Sequence, residues 1–400
     1  MIARPWLIAL GLALGVAVSN GFARFAYGLI LPAMRDDLSW SYAEAGWINT
    51  ANALGYLGGA LLTLALIKRF PPTRLFVFGM VGTSASLLFS GLTEDFALLT
   101  MWRITAGVAG APVFIAGGVL AGQLFPDPKR AALAIALYFG GGGLGMLLTG
   151  ATLPALFAVG GAGSWPMSWI ALGLVSGAFT LLSARAVKQI GRAGQVAQAQ
   201  KPATRAAGLP IRDMGPALVG YGFFAMGYIV YVTFVAAWMR DIAAGPGLIS
   251  AVWSVIGLGI VVSPFIWRGI LARFSNGVPL ALAAGVTALG TVLPLVVTGP
   301  VALIISATLF GVAVFIGPAA ITAFAKRNLP VTVQGSAIAL FTTVFAVGQA
   351  IGPVAAGFIG DATGSIDGGL LAAGGVLALG AAVAVWQKTL DCPGRSDRVL

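Results

Sequence analysis

Arg24 and Arg103 are the two charged residues that sit well inside apolar stretches of this chain; every other charge falls between those stretches or at their ends. An arginine at the middle of an apolar helix costs about 2.5–3.5 kcal/mol on insertion scales. No acid in the sequence is placed to match either one in the apolar interior. The pair therefore points to a site that meets an anion, and the planar fork of a guanidinium suits a bidentate hold on a carboxylate. Asn20, Arg24 and Tyr27 follow one another at i, i+4 and i+7, which on a regular helix is one face. Tyr228 and Tyr231 repeat the spacing of Arg24 and Tyr27 at an offset of 204. With Tyr221 and Phe224 they give a second helix an aromatic wall bearing hydroxyls, the mostly apolar surface with a few polar groups that small-molecule pockets use. Asn20, Arg24, Tyr27, Arg103, Tyr228 and Tyr231 are the expected substrate-binding residues. The alternative for the arginines is structural: Arg24 snorkels toward Glu44 or bonds to backbone carbonyls of its neighbours. For the tyrosines it is ordinary helix packing.

What the chain lacks narrows the chemistry. There is no histidine, one cysteine (Cys392), and no Asp or Glu near the middle of an apolar stretch. A disulfide within the chain, the usual zinc spacings and a nucleophile with its base all drop out, so no enzyme, metal or cofactor is expected. A proton-linked carboxylate would have to lie near an end of the stretches, where Glu44 and Asp361 are the candidates. The run Gly140–Gly143 follows no strand and leads to no Gly-Lys-Ser/Thr, so it is no phosphate loop and serves close helix packing instead. Asn49, Asn52 and Gln349 read as hydrogen bonds between helices.

These residues are positioned by twelve apolar spans, at about 6–33, 44–66, 74–92, 96–123, 131–157, 165–183, 214–238, 247–267, 278–297, 301–325, 333–358 and 366–387. Each has about the 20 residues that a bilayer core demands of a helix. With 58% hydrophobic and 9% charged residues and a mean hydropathy of +0.96, most of the chain belongs in lipid. The apolar run that follows Arg4 continues past Arg24 to Pro32, too long for the core of a cleaved signal, and reads as the first span. On these spans Arg24 lies ten residues before Met34, about 15 Å deep, and Arg103 seven residues after Phe96, about 10 Å from the same face.

The net charge of +11 would suggest nucleic acid for a soluble protein, but its placement rejects that. With the N-terminus inside, nineteen basic residues fall on the inner side and only Arg35 and Arg240 on the outer side. Asp36, Asp37, Glu44, Glu94, Asp95, Asp241, Asp361 and Asp367 lie outside. The basic residues set orientation, so both termini are expected in the cytoplasm. A basic, polar connection over 184–213 divides a six-helix bundle (1–183) from a second six-helix bundle with a short cytoplasmic tail (214–400).

The two bundles resemble each other. Ala134-Ile135-Ala136-Leu137 recurs as Ala337-Ile338-Ala339-Leu340, Arg69-Phe70 as Arg273-Phe274, and Met34-Arg35-Asp36 as Met239-Arg240-Asp241. Gly110 with Val113-Phe114-Ile115 matches Gly311 with Val314-Phe315-Ile316. Offsets of 201 to 205, in the same order, indicate a duplicated bundle with a substrate site between the copies near the midplane.

Over nearly its whole length the chain resembles the major facilitator superfamily, and Gly21 to Met34 (GFARFAYGLILPAM) resembles the signature of its YbfB/YjiJ-like branch. The resemblance implies a twelve-helix secondary transporter that alternates between inward- and outward-open states. The loop after the second span keeps basic residues of the superfamily's tight turn, Arg69 and Arg74, but has Lys68 where the acid belongs and Pro71 where the Gly belongs. The equivalent loop, Gly269 to Phe274, also lacks the acid. Met101 to Gly107 resembles the fourth-helix motif, whose arginine, here Arg103, the resemblance ties to proton coupling. The exporters' fifth-helix Gly-Pro motif is missing at Gly145–Gly150; a closer match, Gly348 to Gly357 with Pro353, lies in the eleventh span. The expectation is an all-α, multi-pass protein of the bacterial cytoplasmic membrane, acting as a monomer in contact with lipid. It would move a small organic solute, an organic anion such as a carboxylate, by alternating access. The alternative is a proton-driven exporter of neutral or lipophilic compounds.

Overall fold

In the computed structural model, residues 5–67, 69–193 and 209–390 are described. Lys68, Cys392 and the middle of the basic connection lie outside them. The described residues form helices and no strand. We number the long ones α1 (Pro5–Leu38), α2 (Tyr42–Leu66), α3 (Pro72–Ser90), α4 (Phe96–Gly122), α5 (Pro128–Gly160), α6 (Trp165–Ala193), α7 (Gly215–Asp241), α8 (Pro246–Arg273), α9 (Val278–Val296), α10 (Pro300–Asn328), α11 (Val331–Thr363) and α12 (Asp367–Val385). Eleven of them are long and apolar enough to cross a membrane. The other, α2, has 25 residues, but Glu44, Asn49, Thr50 and Asn52 in its first half dilute its apolar character. Helix α6 runs ten residues past the expected end of its span, into the basic connection.

Local chemistry sets where several helices begin. Ser41 and Glu44 close a capping box on α2, with Glu44 N–H donating to Ser41 Oγ at 3.1 Å and Ser41 N–H to Glu44 Oε2 at 2.8 Å. Asp95 and Asp127 accept from Leu98 N–H and Arg130 N–H at 2.8 and 2.9 Å, capping α4 and α5.

Helix pairing reveals the duplication. In the first half α1 packs on α5 and α6, α2 on α4, α3 on α4, and α3 on α6. Adding six to each number gives α7 on α11 and α12, α8 on α10, α9 on α10, and α9 on α12, and all of these pairs pack as well. The halves meet through α2 with α11, α5 with α8, and α1 with α7. The same shift exchanges the first two of these pairs, as a two-fold axis between the halves requires.

That axis passes close to Gly28 on α1, whose equivalent at the offset of 204 is Val232 on α7. A Cβ on Gly28 would stand 2.1 Å from Val232 O, so the backbones cross there only because the first copy has no side chain. Gly143 and Gly257 serve α5 and α8 likewise, each facing the other's carbonyl oxygen.

At one end of the molecule, polar side chains tie the halves together. Asp361 at the end of α11 accepts from Tyr42 N–H and Ala43 N–H, at 2.7 and 2.9 Å, in the first turn of α2. Tyr42 OH donates to Asp241 Oδ2 at 2.7 Å, and Arg240 pairs with Asp36 at 3.1 Å. Deeper in, Asn49 donates to Thr233 Oγ1, and Thr50 Oγ1 to Ala350 O at 2.7 Å. We call this the latch end. The opposite end carries Arg69, Arg74, Arg130, Arg273, Lys326 and Arg327 and is called the basic end.

Candidate substrate site

The middle of α1 departs from α-helical geometry. Ala17–Phe25 is a π-helical stretch, with residues Ser19, Asn20, Gly21 and Arg24 all buried. Bonding from i to i+5 widens the turn, and such stretches cluster at functional sites. It also changes which residues share a face. The expectation that Asn20, Arg24 and Tyr27 line up assumed 3.6 residues per turn, and the structure separates Tyr27 from Arg24.

Arg24 points to the second half. Its Nη2 donates to Gln349 Oε1 of α11, and Gln349 Nε2 in turn donates to Tyr228 OH of α7. A guanidinium only donates, so the amide oxygen must face Arg24 and the amide nitrogen must face the tyrosine. Arg24 and Tyr228 occupy equivalent positions of the two copies, and one glutamine joins them across the axis. Arg24 is 6% exposed, its Nε has no partner, and no carboxylate of the described residues pairs with it. The Tyr56 ring lies 5.4 Å from its guanidinium carbon.

Aromatic rings from both halves continue from this bridge toward the basic end. Tyr56 contacts Phe114 (6.3 Å between centroids), and Phe114 contacts Phe139 (4.8 Å). On the other side Tyr228 and Tyr221 stack on Phe345 at 5.7 and 4.8 Å, and Phe25 meets Phe315 edge-on at 5.9 Å. Tyr56, Phe114, Phe139, Phe315 and Phe345 are each partly exposed, so they present apolar surface beneath a buried polar bridge. Apart from these residues, α1, α5, α6 and α8 border an exposed apolar groove of about 800 Å³ lined by residues such as Leu10, Leu137, Leu144 and Phe265.

Arg103 lies elsewhere. It is 1% exposed within the first half, and none of its three guanidinium nitrogens has a hydrogen-bond partner. Two stacked rings hold it instead, Tyr27 at 5.3 Å and Trp169 at 5.0 Å. Tyr27 OH is committed to Ala45 O (2.7 Å), and Asn52 Nδ2 to Arg103 O (3.1 Å). The two arginines share no neighbour among these contacts, yet they lie close enough for each to feel the other's charge.

The remaining expected residues scatter. Tyr231 shares a hydrogen with Ser306 Oγ (2.7 Å) and stacks on Phe310 at 4.3 Å, inside the second half. Asn20 accepts from Ser19 Oγ at 3.2 Å beside α5. Glu44 is occupied in its capping box and Asp361 in the latch. Sequence reasoning put Gln349 down as a bond between helices and passed over Tyr56. The signal for Gln349 was available: two unlike polar residues at equivalent positions near a two-fold axis need a third group between them.

The sequence model of the family described as "Uncharacterised MFS-type transporter YbfB" matches residues 16–385. The chloramphenicol resistance protein of Streptomyces lividans is 28% identical over 402 residues, 94% of this chain and 95% of that protein. The hexuronate transporter of Bacillus subtilis is 25% identical over 405 residues, 92% and 91% of the two chains. With the puromycin resistance protein pur8 of Streptomyces alboniger the identity is 30% over 128 residues, and this chain spans only a quarter (25%) of that relative's length. Among solved structures, a bacterial homologue of the human lysosomal transporter Spinster aligns with a TM-score of 0.68 at 15% identity, over 97% of this chain and 95% of that one. That likeness speaks for the fold.

Proposed function

The chain belongs to this family of MFS transporters, and from that premise we propose that it moves a small organic anion, a carboxylate, across the bacterial cytoplasmic membrane by alternating access. The observation that carries the reading is Arg24: a buried cation at the seam of the two halves, with no carboxylate partner and one donor idle. Burying an ion without a counter-ion is costly, and a carboxylate substrate removes that cost while it is bound. Tyr228 completes the seat from the other half, and the rings below it contact the rest of the molecule. A hexuronate is itself a carboxylate, which supports the class without naming the solute.

In this reading α2 is a twelfth span, both termini are cytoplasmic, and the basic end faces the cytoplasm, as the nineteen-to-two split of basic residues requires. The latch end then faces outward, where Asp361, Tyr42, Asp241 and the Arg240–Asp36 pair tie the halves together.

The test is uptake into proteoliposomes from a panel of solutes sorted by charge, with Arg24→Ala beside wild type. Transport confined to anions and abolished in the variant supports the reading; full activity in a folded Arg24→Ala protein removes it. The aromatic rings beside the bridge favour a second reading, export of neutral or lipophilic compounds. The relative named for chloramphenicol resistance supports that one. Proton-linked extrusion of a neutral compound, unchanged by Arg24→Ala, would put it first.

A further inference from the structure

We infer that the side-chain amide of Gln349 occupies the substrate's carboxylate seat in the empty protein, so that a substrate carboxylate binds by displacing it. The inference rests on the reading of Arg24 as the anion-binding residue and adds what fills that site before the anion arrives.

The argument begins with shape. A primary amide and a carboxylate are both flat groups of one carbon and two heteroatoms, alike in size. Gln349 presents its oxygen to the Arg24 guanidinium and its nitrogen to the Tyr228 hydroxyl. A carboxylate set in its place would accept from Arg24 with both oxygens and from Tyr228 OH at a remaining lone pair of one of them, the phenol turning from acceptor to donor. The exchange raises the quality of both contacts, because hydrogen bonds with an ionised partner are about twice as strong as neutral ones. It also provides for the donor that Gln349 leaves idle. Arg24 Nε is buried without a partner, and it adjoins Nη2 on the edge of the guanidinium that grips a carboxylate side-on. An amide oxygen engaged with Nη2 leaves that edge half used.

Position gives the displacement a consequence. Gln349 belongs to α11, Arg24 to α1 and Tyr228 to α7, so the bridge ties three helices of both halves at the two-fold axis. While the amide sits there, it holds the halves together without substrate. A small anion that takes its place substitutes a mobile group for a tethered one. Gln349 is thus a specificity-determining residue, favouring ligands with a flat anionic end over neutral amides, which gain nothing by the exchange.

The experiment measures thermal unfolding of the full-length protein in lipid nanodiscs, titrated with sodium acetate, with acetamide as the neutral isostere and sodium chloride at matched ionic strength. A ligand that binds only the folded state raises the unfolding temperature by mass action. In Gln349→Ala the acetate response should appear at roughly tenfold lower concentration than in wild type, since the anion no longer competes with a hydrogen bond to a charged group. Acetamide and chloride should have no such effect. Gln349→Glu should unfold at a higher temperature than wild type and ignore acetate, because its own carboxylate fills the seat. Gln349→Ala with no acetate response, or with one no stronger than wild type, overturns the inference, as does Gln349→Glu that responds like wild type. Should Gln349→Ala fail to elute as a folded species, the Gln349→Glu arm decides. A double variant, Arg24→Ala with Gln349→Ala, separates the two levels: an acetate response that survives in it places the anion elsewhere and takes down the reading of Arg24 itself.

Discussion

Arg24 and Arg103 are both buried cations without a carboxylate, yet the molecule treats them differently. Arg24 stands at the seam between the halves, engaged by a neutral amide that another helix can carry away. Arg103 stands inside one half, pressed between Tyr27 and Trp169, with its whole guanidinium lacking hydrogen bonds. Desolvated cation–π contacts contribute about 2 kcal/mol or more, which offsets only part of the cost of burying the charge. The difference teaches where a charge acts on a moving solute. A cation whose neighbours come from both halves meets new surroundings whenever the halves rock. A cation boxed in one rigid bundle keeps the same neighbours throughout.

The hardest test of that contrast is Arg24→Ala. It should reduce carboxylate binding by about a hundredfold or more, in keeping with the roughly 2–5 kcal/mol lost when one partner of a buried charged pair is truncated. Binding measured by thermal shift in the folded variant checks it. Arg103→Met should differ: carboxylate affinity should fall far less than in Arg24→Ala, through the loss of a nearby charge alone, and stability should equal wild type or exceed it by about 1–4 kcal/mol, since an apolar side chain of similar volume replaces an unsatisfied buried ion. Loss of carboxylate binding in Arg103→Met would erase the distinction between the two sites.

Gly28 probes the seam from the backbone. In Gly28→Ala the new methyl meets Val232 O, and the helices must part. Overpacking of this kind costs about 1–3 kcal/mol. One turn away, the bridge from Arg24 through Gln349 to Tyr228 should loosen, so transport should fall while the Arg103 box stays intact. The fluorescence lost on adding Trp169→Phe, equal in the Gly28→Ala and wild-type backgrounds, would show that the box survived.

The helices were legible because apolar runs bounded by charges leave a bilayer-spanning chain few choices, and the duplication was legible because four short matches kept nearly one offset. The division of the site was not. An i, i+4, i+7 face presumes regular turns, and nothing in the composition of Ala17–Phe25 announces π-helical bonding. Arg103 and Arg24 read as one site because depth along a helix is visible in sequence; which rings and amides each of them meets depends on which helix lies opposite. Gln349 read as a hydrogen bond between helices, which it is, but its partners were hidden, because Arg24 and Tyr228 meet at its two ends only in the folded bundle. The Gly348–Gly357 stretch, out of place as a fifth-helix motif, sits where α11 crosses α2 and α7: a Cβ on Gly348 would meet Gly222 O of α7, and one on Gly357 would meet Tyr42 O of α2.

The finest cut is between two tyrosines that sequence spacing made equals. Tyr228 ends the bridge at the seam, while Tyr231 is paired with Ser306 inside the second half, where Ser306 Oγ also donates to Gly290 O at 2.6 Å. Tyr228→Phe removes one hydrogen bond to the seat, worth about 1 kcal/mol, so carboxylate affinity should fall roughly fivefold. Tyr231→Phe leaves Ser306 with its carbonyl partner and the ring on Phe310, so stability should drop by less than about 1 kcal/mol and affinity should not move. The pair is read by the same titration in both variants. Equal losses of affinity would mean that the substrate reaches into the second half as far as Tyr231, and that the seat is wider than the space between Arg24 and Tyr228. A loss in Tyr228→Phe alone confines recognition of the anion to the axis between the two copies of the bundle.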